Sequence, residues 1–237
     1  MKIDVQTYHS YTDKDRFADK TIIAIDVLRC TSAMIEALSN GAKCIIPRID
    51  TEEAIDLAVS LGRESCIVGG ERGCNIVPGF DVGNSPFEYS AEKVSGKTVI
   101  ISTSNGTNAI CGIHNAETML IGAMINASAA AKAAAEAGND VMIVCSGTND
   151  MDSADDFCAA GSIIEKLLVL VPDAFLTDAA MVCRQLYRDW KTGSFRLLDA
   201  FHCKRLAALG YGRDLEFCLT EDIRPVVPVV HGDMITL

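Results

Sequence analysis

Residues 21–32, with the sequence TIIAIDVLRCTS, decide the fold. The apolar run at 21–26 is short and predicts a buried β-strand, and the pattern at 31–39 predicts an α-helix that ends at Asn40-Gly41. A strand followed at once by a helix is one half of the unit from which parallel sheets are built. The stretch therefore favours an α/β protein.

The same alternation continues outward along the chain. Further strands are predicted at 43–46, 65–68, 97–102, 117–121 and 141–145, and further helices at 51–61, 107–114, 126–137 and 153–170. Thr51 is the predicted cap of its helix, residues 69–85 form a glycine-rich loop, and Ser85-Pro86 opens a short helix.

The rhythm changes after Pro172. Helices are predicted at 173–190 and 194–209, and β-structure at 226–230 and 234–237. The last two strands are expected to pair at an edge of the sheet and to make it mixed. Together these elements predict one α/β domain, residues 1–237, with a largely parallel sheet.

Composition limits the partners of the protein. The formal net charge is −11, which argues against nucleic acid and anionic membranes as partners. No apolar stretch approaches the ~20 residues that span a bilayer. The ten cysteines include no CxxC pair, so they are expected to be reduced residues of a cytoplasmic protein. An anionic substrate would need a local source of positive charge.

The turn after the strand at 21–26 carries an acid and a base. Asp26 ends the strand, Arg29 lies in the turn, and Thr31 or Ser32 can cap the next helix. Because ligands of open α/β sheets bind at the carboxyl ends of the strands, this turn fits a metal ligand beside an anion clamp. A capped turn with an ordinary ion pair is the open alternative.

Residues 102–107, STSNGT, give the strongest phosphate signal of the chain. Ser104, Asn105, Gly106 and Thr107 lie between a strand and a helix, where amide groups and the helix dipole favour an anion. The stretch is not a Walker loop, since it has no GxxxxGK[ST] pattern. An ordinary N-cap turn remains the alternative.

A glycine-rich loop again juxtaposes an acid and a base. Glu71 and Arg72 lie among glycines that let backbone approach a ligand closely, and Asn84 and Ser85 can add hydrogen-bond donors. The bland alternative is a flexible loop with a surface ion pair. Its length and its content of special residues favour function.

Two adjacent acids open the helix predicted at 153–170. Asp155 and Asp156 are suitable ligands for a hard cation such as Mg²⁺. Ser153 and Asp156 also have the form of a capping box, so a purely structural role is equally open.

Two other chemistries are weaker. Cys66 and Arg72 fit the C-x5-R pattern of cysteine-dependent phosphatases, but Cys66 lies inside an apolar strand run rather than at its end. The histidines have no paired spacing, which argues against a zinc hydrolase; they are His9, His114, His202 and His231.

Five stretches in this order resemble the 2-phosphosulfolactate phosphatase family. They are residues 26–31 (DVLRCT), 69–73 (GGERG), 80–86 (FDVGNSP), 102–107 (STSNGT) and 155–161 (DDFCAAG), with a weaker match at 210–218 (GYGRDLEFC). The resemblance implies a three-layer α/β/α fold and a Mg²⁺-dependent phosphatase. It also implies hydrolysis of 2-phosphosulfolactate to sulfolactate and phosphate, a step toward coenzyme M.

A site hypothesis combines these residues. Mg²⁺ would be held by some of Asp26, Glu71, Asp155 and Asp156, and the catalytic residues would be Asp26, Arg29 and Arg72. Thr31, Asn84, Ser85 and the cup at 104–107 would bind the small anionic phosphate ester. Another phosphate-handling enzyme, a non-catalytic sensor of anionic metabolites and a homo-oligomer all remain open.

Overall fold

Eleven strands form a single mixed sheet in the computed structural model, which describes residues 1–8 and 14–237. The strands are β1 (Lys2–Gln6), β2 (Lys20–Ile25), β3 (Cys44–Pro47), β4 (Cys66–Arg72), β5 (Asn75–Ile76), β6 (Thr98–Ser102), β7 (Thr118–Gly122), β8 (Asp140–Cys145), β9 (Phe175–Leu176), β10 (Val229–His231) and β11 (Met234–Thr236). Their order across the sheet is β5-β4-β6-β3-β11-β10-β7-β2-β8-β1-β9. His9 lies outside the described residues.

Helices pack around this sheet, so the α/β class expected from the sequence is confirmed. They are α1 (Cys30–Ser39), α2 (Thr51–Leu61), α3 (Ala91–Val94), α4 (Gly106–Cys111), α5 (Ala127–Ala137), α6 (Ala154–Leu170), α7 (Asp178–Thr192), α8 (Phe201–Ala208) and α9 (Gly212–Cys218). Short 3-10 turns occur at Lys14–Phe17, Arg63–Ser65, Pro86–Glu88, Met124–Asn126 and Leu197–Asp199. None of the helices in the described ranges is long and apolar enough to cross a membrane.

Two parallel blocks make up most of the sheet. One consists of β4, β6 and β3, and the other of β7, β2, β8, β1 and β9. The central strands are continuous apolar runs, as expected for strands covered on both faces. In β2, for example, the five residues after Lys20 are all buried.

The C-terminal hairpin corrects one expectation. β10 and β11 lie in the middle of the sheet, between β7 and β3, and not at its edge. Each is antiparallel to its outer neighbour, so the hairpin joins the two parallel blocks and makes the sheet mixed. Burial explains the central position, because Ile235 of β11 is fully buried opposite Ile45 of β3.

Local chemistry shifts several other boundaries. Asp50, and not Thr51, caps α2, because its carboxylate accepts the amides of Glu52 and Glu53. The helix predicted at 173–190 begins only after Thr177, whose hydroxyl caps α7, while Phe175–Leu176 forms the edge strand β9. The helix predicted at 194–209 is divided into a 3-10 turn and α8.

The glycine-rich segment is more regular than expected. β4 runs through Gly69 and Gly70, which pair with β6, and turns back into β5. Gly70 has φ +137°, and a Cβ there would lie 1.9 Å from the carbonyl oxygen of Ser102. Glycine is therefore required where β4 approaches β6 most closely.

A partly buried acid ties α6, α7 and the turn after α9 together. Glu221 accepts hydrogen bonds from Lys166 (2.7 Å), Ser162 (2.8 Å) and Tyr187 (2.8 Å), and it also pairs with Lys191. Burial by itself would raise the pKa of Glu221, but these four partners lower it from 4.5 to about 2. Its ionised form is thus more stable in the folded protein than in the unfolded chain.

Glu221→Gln is therefore expected to lower the free energy of unfolding by about 2 kcal/mol at pH 7. Because the folded pKa lies below the unfolded one, the stabilisation is complete above the unfolded value of 4.5 and is lost as pH falls toward 2. Denaturant unfolding of both proteins between pH 7 and pH 3 would measure the difference between their free energies of unfolding, which should become smaller as pH falls. A difference that does not change with pH would mean that the ionised carboxylate of Glu221 does not provide this stabilisation. Glu136→Gln, at an exposed Lys132 pair, is the control and should cost less than about 0.5 kcal/mol.

Candidate functional site

The loops that follow β2, β4, β6 and β8 meet at one cleft, which is completed by α8. Its lining residues are Asp26, Leu28, Arg29, Glu71, Gly73, Cys74, Asn84, Ser104, Asn105, Thr148, Asn149, His202, Arg205 and Leu206. Six of the residues expected from the sequence are among them, namely Asp26, Arg29, Glu71, Asn84, Ser104 and Asn105. Carboxyl ends of parallel strands from both blocks therefore converge, as ligand sites of α/β sheets require.

Asp26 is held at the floor of the cleft by its own turn. The hydroxyl of Thr31 donates to the Asp26 carbonyl (2.9 Å) and accepts the Asp26 amide (3.1 Å). Thr31 is fully buried and outside the cleft lining, so it supports the turn and does not face a ligand. Burial, with a further contribution from Glu71, raises the pKa of Asp26 to about 6 against the opposing charge of His202.

Glu71 is the penultimate residue of β4 and joins two loops. Its Oε1 accepts the amide of Ser104 (2.8 Å), and its Oε2 accepts the amide of Cys74 (2.7 Å) and the Ser104 hydroxyl (3.2 Å). A carboxylate of the protein thus occupies one amide of the expected phosphate cup. The remaining surface of this loop toward the cleft belongs to Ser104 and Asn105.

Gly106 and Thr107 support the cup from behind. Thr107 and Thr103 exchange reciprocal hydrogen bonds between hydroxyls and backbone, at 2.9–3.1 Å, and both are buried. At Gly106 a Cβ would lie 2.5 Å from Oδ2 of Asp26 and 2.6 Å from Cβ of Cys30. The absence of a side chain at Gly106 is what allows the β2 and β6 loops to touch.

Gly106→Ala is expected to separate these two loops. We expect a loss of about 1–3 kcal/mol of stability, since overpacking of a close contact has that cost, together with reduced activity. Gly212→Ala is a matched control, because no atom lies within 4 Å of its Cβ position. Thermal unfolding and phosphate-release assays would measure both variants. Equal behaviour of the two would contradict the close-approach role of Gly106.

Arg29 is a buried cation that α9 holds in place. Its Nη1 lies 2.6 Å from Oδ2 of Asp214, and its guanidinium stacks 3.9 Å from the ring centroid of Tyr211. The hydroxyl of Ser85 donates to the other oxygen of Asp214 (2.9 Å). Ser85 therefore orients Asp214 and does not line the cleft, although the sequence suggested it as a substrate ligand.

His202 of α8 pairs with the first acid of α6. Its Nδ1 lies 3.2 Å from Oδ2 of Asp155 and 3.2 Å from the hydroxyl of Thr148. Burial by itself would lower the pKa of His202, but hydrogen bonds to Asp155 and Cys74 and the charges of Asp155 and Asp26 raise it to about 10. His202 is thus an imidazolium at neutral pH and brings positive charge to the cleft.

The four acids among which the metal ligands were expected are not brought together as one ligand set. Asp155 is engaged by His202 and Ser153, and neither Asp155 nor Asp156 lines the cleft. Asp156 accepts the amides of Val27 (2.9 Å) and Gly147 (3.0 Å), so it fastens the β2 loop to the β8 loop. In the described part of the chain, no three His, Cys, Asp or Glu side chains form a group that could hold a metal ion.

Oxygen donors nevertheless line the cleft. The carboxylates of Asp26 and Glu71 are buried there, and so is Asn84, whose Oδ1 has no hydrogen-bond partner among the described residues. A hard cation bound by one or two carboxylates, water and substrate oxygens suits such a donor set.

Arg72 and Cys66 do not meet. They are the two ends of the seven-residue strand β4, roughly 20 Å apart at the rise of a strand. Arg72 donates to the carbonyls of Glu71 (2.8 Å) and Ile49 (2.7 Å), and it lies outside the cleft lining. The thiol of Cys66 is buried against α2. The arrangement needed for a cysteine nucleophile beside an arginine is therefore absent at these two residues.

Sequence reasoning missed the residues that the C-terminal third brings to the site. His202 and Arg205 come from α8, and Asp214 comes from α9. The only sequence signal was the weak stretch 210–218, which contains Asp214. The cleft-lining pair His202 and Arg205 has no local motif.

Known proteins resemble this chain over its whole length. Residues 6–233 match the family described as 2-phosphosulpholactate phosphatase. A probable 2-phosphosulfolactate phosphatase of Caldanaerobacter subterraneus subsp. tengcongensis is 39% identical, covering 97% of this chain and 95% of the relative. Relatives with the same name are 39% identical in Clostridium novyi, covering 100% of both chains, and 40% identical in Clostridium tetani, covering 99% and 100%. The chain belongs to the 2-phosphosulpholactate phosphatase family of phosphoric monoester hydrolases.

Proposed function

We propose that this protein is a Mg²⁺-dependent phosphatase that hydrolyses 2-phosphosulfolactate, or a related 2-hydroxy-acid phosphate ester, to the hydroxy acid and phosphate. Family membership supports the reaction class, and the names of the relatives support the substrate. We also propose a cytoplasmic location, because all ten cysteines are free thiols. In a host that makes coenzyme M, the reaction would be a step toward it.

The observation that carries this proposal is the charge of the cleft. A protein of net charge −11 gathers Arg29, His202 and Arg205 around one depression. Such a local concentration of cations attracts and holds an anionic ester despite the acidic surface elsewhere. The buried acids Asp26 and Glu71 beside them supply the opposite charge that a cation-assisted phosphoryl transfer needs.

The magnesium ion has suitable ligands in Asp26, Glu71 and Asn84 Oδ1. The unpartnered oxygen of Asn84 supports this assignment, since a buried polar atom without a partner is costly unless a ligand satisfies it. When bound, the ion supplies Lewis-acid polarisation of a phosphoryl oxygen.

The residues of the chain have separate tasks in this scheme. Ser104 and Asn105 contact the phosphoryl group, and Arg29, fixed by Asp214, offsets its negative charge. His202 stays protonated through neutral pH and stabilises charge that develops during the in-line attack of water. Asp155 holds the His202 ring in position and is not a metal ligand in this scheme.

The test measures phosphate release from 2-phosphosulfolactate and from other phospho-2-hydroxy acids. The protein is expected to release phosphate in the presence of Mg²⁺. This activity should fall to background after exhaustive chelation and return when Mg²⁺ is restored. Full activity after chelation would remove the metal from the scheme. Loss of substrate without free phosphate would instead indicate a phosphotransferase or a lyase, and tight binding without turnover would indicate a sensor. Cys66→Ser should leave the rate unchanged.

A further inference from the structure

One face of α8 presents two basic side chains to the cleft. His202 and Arg205 are three residues apart, a spacing that puts both on the same side of a helix. Both line the same cleft as Ser104 and Asn105 of the β6 loop. The helix thus forms a second cationic wall beside the one at Arg29.

The three cations of the cleft differ in whether a carboxylate of the protein pairs with them. Arg29 forms a buried ion pair with Asp214 at 2.6 Å, and His202 is paired with Asp155 at 3.2 Å. Arg205 has no carboxylate within ion-pair distance in the described part of the chain. Its one hydrogen bond there is a long one, 3.4 Å from Nη2 to the carbonyl of Gly73. Arg205 therefore has most of its donors available for a ligand.

Arg205 is more exposed than the residues on the floor of the cleft. Asp26 and Arg29 are buried on the floor, whereas Arg205 is partly exposed and its Nη2 lies 3.4 Å from the carbonyl oxygen of Gly73. A guanidinium offers a planar fork of donors that matches a carboxylate or a sulfonate. A substrate with its ester on the floor would direct its remaining acid group toward this fork.

We propose that Arg205, aided by the neighbouring charge of His202, forms a second anion subsite that binds the non-phosphate acid group of the substrate. It selects phosphate esters that carry a further carboxylate or sulfonate over esters with a neutral arm. The identity of the ester in this inference rests on the proposed function, whereas the binding of the acid group by Arg205 does not.

Substrate pairs isolate the subsite. Phospholactate and isopropyl phosphate present the same phosphate ester on a secondary carbon, but only phospholactate carries a carboxylate. Arg205→Gln is expected to lower kcat/KM for phospholactate and 2-phosphosulfolactate by about 10- to 100-fold, mostly through KM, and to change that for isopropyl phosphate less than 3-fold. Arg205→Lys should recover part of the loss, because it restores charge without the fork.

Lys204→Gln is the matched control. Lys204 is the neighbouring residue on α8, is exposed and pairs with Asp199 outside the cleft. The Lys204→Gln substitution removes the same charge from the same helix. Its kcat/KM for all three esters should therefore equal that of the unchanged protein. An equal loss of activity in Arg205→Gln toward acidic and neutral esters would overturn the subsite, since it would indicate a merely structural role.

A binding assay separates this inference from the proposed function. Sulfolactate carries a carboxylate and a sulfonate but no phosphate, and its affinity can be measured by calorimetry without turnover. Binding that weakens at least 10-fold in Arg205→Gln and not in Lys204→Gln supports the subsite even if no ester is hydrolysed. Binding that is the same in all three proteins overturns it even if the phosphatase activity is established.

Discussion

Replacing Asp26 by Asn is expected to reduce kcat/KM by at least about 10³-fold without unfolding the protein, since loss of one aligned charge in a water-excluded site costs several kcal/mol. Asp26 lies at the point where the β2 and β6 loops touch and lines the cleft with Arg29. Asn keeps the size of the side chain and removes its charge.

The stability of the same variant gives an independent readout. Burial raises the pKa of Asp26 to about 6, so ionisation costs the folded protein free energy as pH rises from 3.8 through 6. At pH 7.5 without Mg²⁺, Asp26→Asn should therefore unfold no earlier than the unchanged protein. Added Mg²⁺ should raise the unfolding temperature of the unchanged protein more than that of the variant.

Asp156→Asn is the informative comparison for Asp26. Asp156 is equally buried, but it accepts backbone amides of the β2 and β8 loops and does not line the cleft. Its replacement should lower stability although burial also raises the pKa of Asp156, because Asn would turn an NH₂ group toward one of the two backbone amides. The stabilisation by Mg²⁺ should persist. A Mg²⁺ response lost equally in both variants would restore Asp156 to the metal ligands, as the sequence allowed. Nearly full activity of Asp26→Asn would remove Asp26 from the mechanism.

Much of the fold was predictable because its strands are short runs of buried apolar residues. β2, β6, β7 and β8 were located to within about two residues from hydrophobic pattern alone. The central position of β10 and β11 could not be predicted, because the pairing of a terminal hairpin depends on which gap in the sheet remains open. The extension of β4 was hidden because glycine in a strand lacks any hydrophobic signal.

The site was predictable where a loop follows a strand and much less where it depends on contacts far along the chain. Asp26, Glu71 and Ser104 follow recognisable strands, so the topology predicted that they would meet. The pairs Arg29–Asp214 and Asp155–His202 span 185 and 47 residues. Acid–base partners at such separations leave no spacing signal.

Asp214→Ala is expected to cost about 3–5 kcal/mol of stability, because it leaves a buried charge without its partner. The side chain of Arg29 is only 3% exposed and would retain its contacts with Tyr211, which carry no counter-charge. The hydroxyl of Ser85 would also lose its acceptor. Chemical denaturation would measure the loss, and kcat/KM should fall because Arg29 is no longer oriented toward the ester.

Phosphate should partly rescue this variant, and the rescue identifies what Arg29 does. If Arg29 binds the phosphoryl group, inorganic phosphate replaces the missing counter-charge and raises the unfolding temperature of Asp214→Ala more than that of the unchanged protein. Asp233→Ala breaks the exposed pair with Arg48 and should cost less than about 1 kcal/mol without any added response to phosphate. Equal phosphate responses in all three proteins would mean that Asp214 and Arg29 are a structural pair alone. A larger rise in unfolding temperature that is confined to Asp214→Ala would mean that Arg29 faces the bound phosphate. Only a cation that has lost its own carboxylate gains this much stability from an added anion.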